Sequence, residues 1–243
     1  MPRTEIRHAS WLISLSLAAL TLPLPALSQR APNPGNPSTL EDFKAGDQNR
    51  EVQQRATDLM QALNASPGDW VADVGAGAGY YVMRLSAIVG PEGKVFAEEI
   101  RNPALRLLDL RVKLFDLHNV EVVKGEDDNP KLPADSLAAV VIVDSYHHFE
   151  KYQPMCEQIL HSLKPGGRLV IADYSLPAHR QKPRADQLKI HEIDPDLVRA
   201  ELTRAGFRVL TCEDPFVNRM PEVAMTYGPK EADMWLMVAV RPQ

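Results

Sequence analysis

Cysteine is nearly absent. Cys156 and Cys212 are the only two in 243 residues, which excludes a disulfide framework as the source of stability. Both are expected as buried free thiols, one in a helix and one in a late strand; a single disulfide is the alternative in an oxidising compartment. Concentrated positive charge is missing as well. The net charge is −5 and no basic run occurs, so the cationic stripe of a nucleic-acid groove is lacking and no nucleic-acid partner is expected. No Gly-Lys-Ser/Thr follows the glycine-rich stretch, which removes a phosphate-binding P-loop. The apolar run at residues 11–24 is shorter than the roughly 20 residues a bilayer-spanning helix needs. No internal repeat is visible.

What is present is ordinary globular composition, 44% hydrophobic and 24% charged, enough for one domain with a sizeable core. Arg3 and Arg7 precede the apolar run, and Ala26-Leu27-Ser28 follows it with small residues. Positive segment, apolar segment and small-residue site form a secretory signal. Cleavage is expected after Ser28, leaving an exported, periplasmic chain without a stable membrane span. Residues 29–37 read as a Pro-rich linker and residues 38–243 as a single domain. Ser38-Thr39-Leu40-Glu41 fits a capping box, and one helix is expected over residues 50–63, with Val52, Ala56, Leu59, Met60 and Leu63 on one face.

Residues 70–81, WVADVGAGAGYY, organise the rest. A short apolar run carrying one acid, Asp73, ends in Gly75, Gly77 and Gly79, and an amphipathic run follows at once. Strand, glycine turn and helix open a nucleotide-type site, because a side chain there would hold the backbone off the ligand. Further apolar strands are expected at residues 94–98, 120–123, 137–143 and 168–172, separated by helices. That alternation predicts an α/β architecture, a Rossmann-like doubly wound seven-stranded sheet, mostly parallel. Its last two strands, 207–211 and 235–240, form an antiparallel pair. Each parallel strand ends on polar or acidic residues: Asp73, Glu99, Asp127, Asp144 and Asp173. Ligands bind at that edge of such sheets.

The spacing selects among ligands. A dinucleotide fingerprint wants a small residue where Tyr80 stands. Asp73 beside the turn would repel a pyrophosphate and suits an ammonium or sulfonium. Glu99, about twenty residues beyond Gly79, can accept hydrogen bonds from both hydroxyls of a ribose.

On these residues the sequence resembles the class I S-adenosylmethionine-dependent methyltransferases, in the small-molecule, quinone-biosynthesis-like group. Three stretches carry the resemblance: residues 71–79, residues 93–99 (GKVFAEE) and residues 163–170 (LKPGGRLV). It implies S-adenosylmethionine as cofactor. Asp73 and the backbone of Gly75 and Gly77 would face its methionine part, with Gly79 also among the cofactor-binding residues. Glu99, favoured over Glu98 by alignment on Ile100, would hold the ribose. Glu126 or Asp127 would meet the adenine, and Asp144 would line the methyl-donor side.

The acceptor is open. A small-molecule O- or C-acceptor is expected, since Asp144-Ser145-Tyr146-His147 replaces the Asn/Asp-Pro-Pro-Tyr that methyltransferases acting on amino groups often carry there. His147 and His148 are placed to act as base; alternatively one stacks on the cofactor and the other caps a loop. Tyr146 is expected as a pocket wall. Asp173, Tyr174, His179 and His191 are assigned to a loop lining the acceptor pocket. The histidines match no metal-ligand spacing, so no metal is expected. Two other functions stay open: an exported, non-catalytic binding module for S-adenosylmethionine or a related nucleoside, which would answer the scarcity of donor outside the cytosol, and an NAD-linked oxidoreductase, against which Tyr80 speaks.

Overall fold

Seven strands lie in one sheet of order β3-β2-β1-β4-β5-β7-β6. The computed structural model describes residues 31–218 and 233–243; the proposed signal and its cleavage point after Ser28 lie outside them. β1 (Trp70–Val74), β2 (Lys94–Glu99), β3 (Val120–Lys124), β4 (Leu137–Val143) and β5 (Leu163–Ser175) pair in parallel. β7 (Asp233–Val240) runs antiparallel between β5 and β6 (Arg208–Val217). The expected seven-stranded doubly wound sheet with an antiparallel terminal pair is therefore present.

Alternation along the strands explains the two layers. In β4, Ala139, Val141 and Val143 join one apolar cluster while Val140 and Ile142 join the other. On the first face α3 (Ala56–Ala62), α4 (Tyr80–Val89) and α5 (Asn102–Leu114) contribute Leu59, Leu85 and Leu108, all fully buried. On the second, α6 (Tyr152–Ser162) and α8 (Pro195–Ala205) contribute Ile159 and Leu202 against Trp235. The strand order reverses between β1 and β4, so a crevice opens at their carboxyl ends. Among the described residues no helix is long and apolar enough to cross a membrane.

Several local expectations need correction. The first helix, α1 (Leu40–Asp47), is capped by Thr39 with Asp42 as its reciprocal partner, one position later than the Ser38–Glu41 pair. The helix expected over residues 50–63 is two: α2 (Arg50–Gln54) and α3, separated by Arg55 in the left-handed region at φ 44. Tertiary contacts hold that break. Arg55 bonds Asp58, Glu213 and the Phe216 carbonyl and stacks on the Phe216 ring. Val52 consequently leaves the apolar face and is 53% exposed. β5 extends through Ser175 because β7 pairs with it continuously from Arg168. Asp173 and Tyr174 thus belong to a buried strand rather than a loop. α7 (Arg184–Lys189) stands in the connection to α8. Both cysteines are free thiols, Cys156 buried and Cys212 half-buried.

Candidate functional site

The glycine turn leaves β1 with its backbone held by the next strand. The Gly75 and Ala76 amides donate to the Glu98 carbonyl at 3.0 and 2.8 Å, and Gly75 also reaches the Glu98 carboxylate at 3.1 Å. The Gly77 amide donates to Glu99 Oε2 at 3.1 Å. Gly75 (φ 76) lies so close to Ser145 that a Cβ would come within 2.6 Å of its hydroxyl, while Ser145 Oγ donates to the Gly75 carbonyl. At Gly79 a Cβ would strike Leu108 at 2.6 Å, so this glycine lets α4 and α5 pack. A Cβ on Gly77 would meet nothing within 4 Å. The turn presents open backbone on that side.

That open side belongs to a cleft of about 570 Å³, whose wall includes Asp73, Gly75, Gly77, Asp144, His147 and His191. Asp73 is 2% exposed and its Oδ2 has no hydrogen-bond partner. Burial pushes its carboxyl up to about 7, against the pull of Arg50 and with the repulsion of Glu99. A buried acceptor without a donor fits a cationic ligand group seated against it. Arg50 and Gln54 of α2 also line this cleft. Sequence reading missed both, because the α2–α3 break that turns them inward is set by contacts made far along the chain.

Glu99 is buried and fixed: Oε1 accepts from the amides of Ile100 and Arg101 at 2.9 and 2.8 Å, with the Arg101 guanidinium at 3.2 Å. It lines an adjoining cavity of about 360 Å³ with Ile100, Asp127, His148 and Phe149. Glu98 lies at the same edge. Its buried carboxyl is pushed up to about 8 by desolvation, and its Oε1 has no partner. Of the two acids offered for the adenine side, Asp127 is on the cavity wall; Glu126 is exposed and paired with Lys131.

Beyond β4 the chain turns sharply. Asp144 adopts φ 53 and its amide donates to the Ala172 carbonyl at 2.9 Å. Burial and Asp173 push its carboxyl up to about 7. Tyr146, His147 and His148 then form one 3-10 turn, which sends successive side chains about 120° apart. Tyr146 enters the core and donates to Glu201 at 2.8 Å beside the Cys156 sulfur; it is not a pocket wall. His147 is buried, with Nδ1 2.9 Å from Asp173 Oδ1 and its amide bonded to the other Asp173 oxygen at 3.1 Å. Burial opposes charge on this ring, but Asp173 outweighs it and holds the pKa above the ordinary value. His148 is exposed, and its pKa is pushed down to about 4 by desolvation and by its histidine neighbours.

The spacing along the chain predicts no metal centre, yet three of its seven histidines, His147, His148 and His191, converge. The ring centroids of His147 and His148 lie 4.0 Å apart, and those of His191 lie 5.4 and 5.3 Å from them. One potential ligand atom from each falls within 4.8 Å of the others. His179 does not join them; it hydrogen-bonds Glu192 at 3.1 Å. No sequence spacing signals this closure, because His191 reaches the turn through the whole excursion between β5 and α8.

A family model described as a methyltransferase domain matches residues 71–167, from β1 through the start of β5. A demethylmenaquinone methyltransferase of Geobacillus stearothermophilus is 29% identical over 120 residues, 49% of this chain and 51% of that protein. A ubiquinone/menaquinone biosynthesis C-methyltransferase of Pseudomonas savastanoi is 28% identical over 151 residues, 60% of this chain and 56% of that protein. The matches thus span about half the length of these curated relatives. Among solved structures, a SAM-dependent methyltransferase from Aquifex aeolicus superposes with a TM-score of 0.64 at 23% identity, covering 82% of this chain and 95% of that one. At that identity the likeness establishes the fold.

Proposed function

We propose that this chain, whose residues 71–167 match the methyltransferase domain, is an S-adenosylmethionine-dependent methyltransferase acting on a small-molecule oxygen or carbon acceptor. The observation that carries the reading is Asp73: a buried carboxylate, one oxygen unpartnered, against open glycine backbone in a cleft of about 570 Å³. Asp73 receives the ammonium of the donor's methionine part. The backbone of Gly75 and Gly77 allows close approach, and Glu99 takes the ribose hydroxyls. Arg101, whose side chain is 64% exposed, is the partner those hydroxyls displace from Glu99. Asp127 serves the adenine side and Asp144 the methyl side. Asp73 and Glu99 beside the turn would repel a pyrophosphate, which disfavours a dinucleotide.

Bound S-adenosylmethionine supplies an already activated methyl group, so the chain's task is orientation and removal of the acceptor's proton. Asp173 fixes the His147 ring at Nδ1 and leaves Nε2 to take that proton, with His148 beside it. The relatives are named for quinone methylation, which puts hydroxylated quinones and phenols first among acceptors. Calorimetric titration with S-adenosylmethionine and its demethylated product tests the donor site; no binding of either would remove the reading. Binding without transfer to any phenol, quinone or lipid would favour the non-catalytic module. Transfer only to DNA or RNA would overturn the acceptor class. Export is part of the same proposal, resting on residues 1–28; recovery of a chain beginning at Gln29 from the periplasmic fraction supports it, and a full-length cytosolic chain alone would refute it.

A further inference from the structure

We infer that His147, His148 and His191 form a binding site for one divalent transition-metal ion at the acceptor end of the cleft. The inference on metal binding stands by itself; its role in transfer rests on the function proposed above.

Three neutral imidazoles are a nitrogen donor set suited to zinc, copper, nickel or ferrous iron, and no thiolate competes. Their potential ligand atoms already lie within 4.8 Å of one another. Nitrogens about 2.0–2.1 Å from one ion in tetrahedral geometry sit roughly 3.4 Å apart, so closure of at most about 1.4 Å completes the set. His148 and His191 are exposed and can supply that movement. His147 is the fixed member. Its Nδ1 is committed to Asp173 at 2.9 Å, and Asp173, itself fully buried, also receives the amides of His147 and Tyr174 at 3.1 and 2.8 Å. A carboxylate orienting the far nitrogen of a ligating histidine is the usual outer support of such sites. It leaves His147 Nε2 as the ligand atom.

Three histidines leave a fourth position open, the arrangement of ions that bind substrate rather than merely brace a fold. All three histidines line the cleft that holds Asp73 and the glycine turn, so the open position falls on the acceptor side. The substrate class this favours is an oxygen donor, a phenol or hydroxyquinone, held as its oxyanion with its proton released to solvent. With the ion bound, His147 serves as ligand instead of base; the two uses of Nε2 exclude each other.

The test is titration of the chelator-stripped full chain with Zn²⁺ by calorimetry, and with Co²⁺ by visible absorption. One ion per chain is expected, with a Kd of about 1 μM or tighter and four-coordinate cobalt bands. His148→Ala and His191→Ala, both at exposed positions, should each weaken binding by roughly 100-fold or more, and Asp173→Asn by about 10–100-fold. His179→Ala should leave it unchanged. Loss of stoichiometric binding in the parent chain, or affinity unaltered by His191→Ala at unchanged Tm, would overturn the site. The demethylated donor product is titrated against the same preparations. Product binding without metal binding removes this site and leaves the donor reading; metal binding without product binding does the reverse.

Discussion

Asp73 sits where its charge is least welcome without a ligand. Its carboxyl is pushed up to about 7 by burial, the strongest influence, with Arg50 opposing and Glu99 adding to the rise; Glu98 and Tyr81 also feel its charge. An ammonium seated against it favours the ionised form. Affinity for the demethylated donor product should therefore rise with pH through about 6 to 8, by up to roughly tenfold per unit below the apo pKa. Binding near pH 6.5 should release a proton, read as a dependence of the calorimetric enthalpy on buffer. Asp73→Asn should flatten that profile and weaken binding by about 10- to 100-fold; a flat profile in the parent chain would remove Asp73 as the cation seat. A second residue-scale test concerns Gly125. A Cβ there would lie 1.9 Å from Glu98 Oε1, so Gly125→Ala should cost about 2–3 kcal/mol. In a Glu98→Ala background it should cost much less, a coupling of at least about 1 kcal/mol in urea unfolding; equal costs in both backgrounds would show that the two do not meet. At this scale the placement of Asp73, the glycines and Glu99 at the carboxyl ends of β1 and β2 was readable, since it follows from a few adjacent residues. The sequence did not reveal which way the turn at Tyr146 points each side chain, nor that His191 returns to His147.

The elements around the turn are braced from behind as well as paired in front. Arg111 of α5 is 3% exposed and reaches Asp47 at the end of α1 with two bonds, 2.8 and 3.1 Å, over the Phe43 ring. The same side chain lies next to Gly79, where a Cβ would approach its Cδ at 3.3 Å. α1 is thus tied to the helix that backs the glycine turn. Asp47→Asn leaves a buried guanidinium without its countercharge and should cost about 3 kcal/mol. The cost should fall on α1 undocking: amides of residues 40–47 should exchange much faster in hydrogen exchange while those of β4 keep their protection. Unchanged exchange in α1 would show that the pair does not hold it. Elements whose own periodicity matches their burial were legible, β1 and β4 above all. The helix at residues 50–63 was not, because Arg55 takes its left-handed conformation from contacts with Glu213 and Phe216. The length of β6, to Val217, likewise comes from pairing with β7 past two register shifts, which no local pattern encodes.

At the scale of the molecule, a sheet covered on both faces gathers its acids at one edge, where Asp73 and Glu98 are buried. Glu98 is held at about 8 and Asp73 at about 7, both chiefly by desolvation. In the unfolded chain both would ionise near their ordinary values of 4.5 and 3.8. Between those values and their folded pKa values the native state binds more protons than the unfolded state. Stability must then fall as pH rises through that window and level off above about 8. For Glu98 alone, at about 1.4 kcal/mol per unit, the ceiling is roughly 5 kcal/mol, reduced by whatever relaxation admits water. The unliganded chain should therefore lose Tm steadily from pH 5.5 to 8.5 in scanning calorimetry. Glu98→Gln, which carries no ionisable proton, should remove about half of that decline, the rest belonging to Asp73 and Asp144, and melt higher than the parent at pH 8. Saturating demethylated donor product should recover the share belonging to Asp73, since the ligand favours its ionised form, and leave the share of Glu98 in place. Parallel profiles for parent and variant would mean that Glu98 ionises freely in the fold, and that its burial at the sheet edge does not hold its proton.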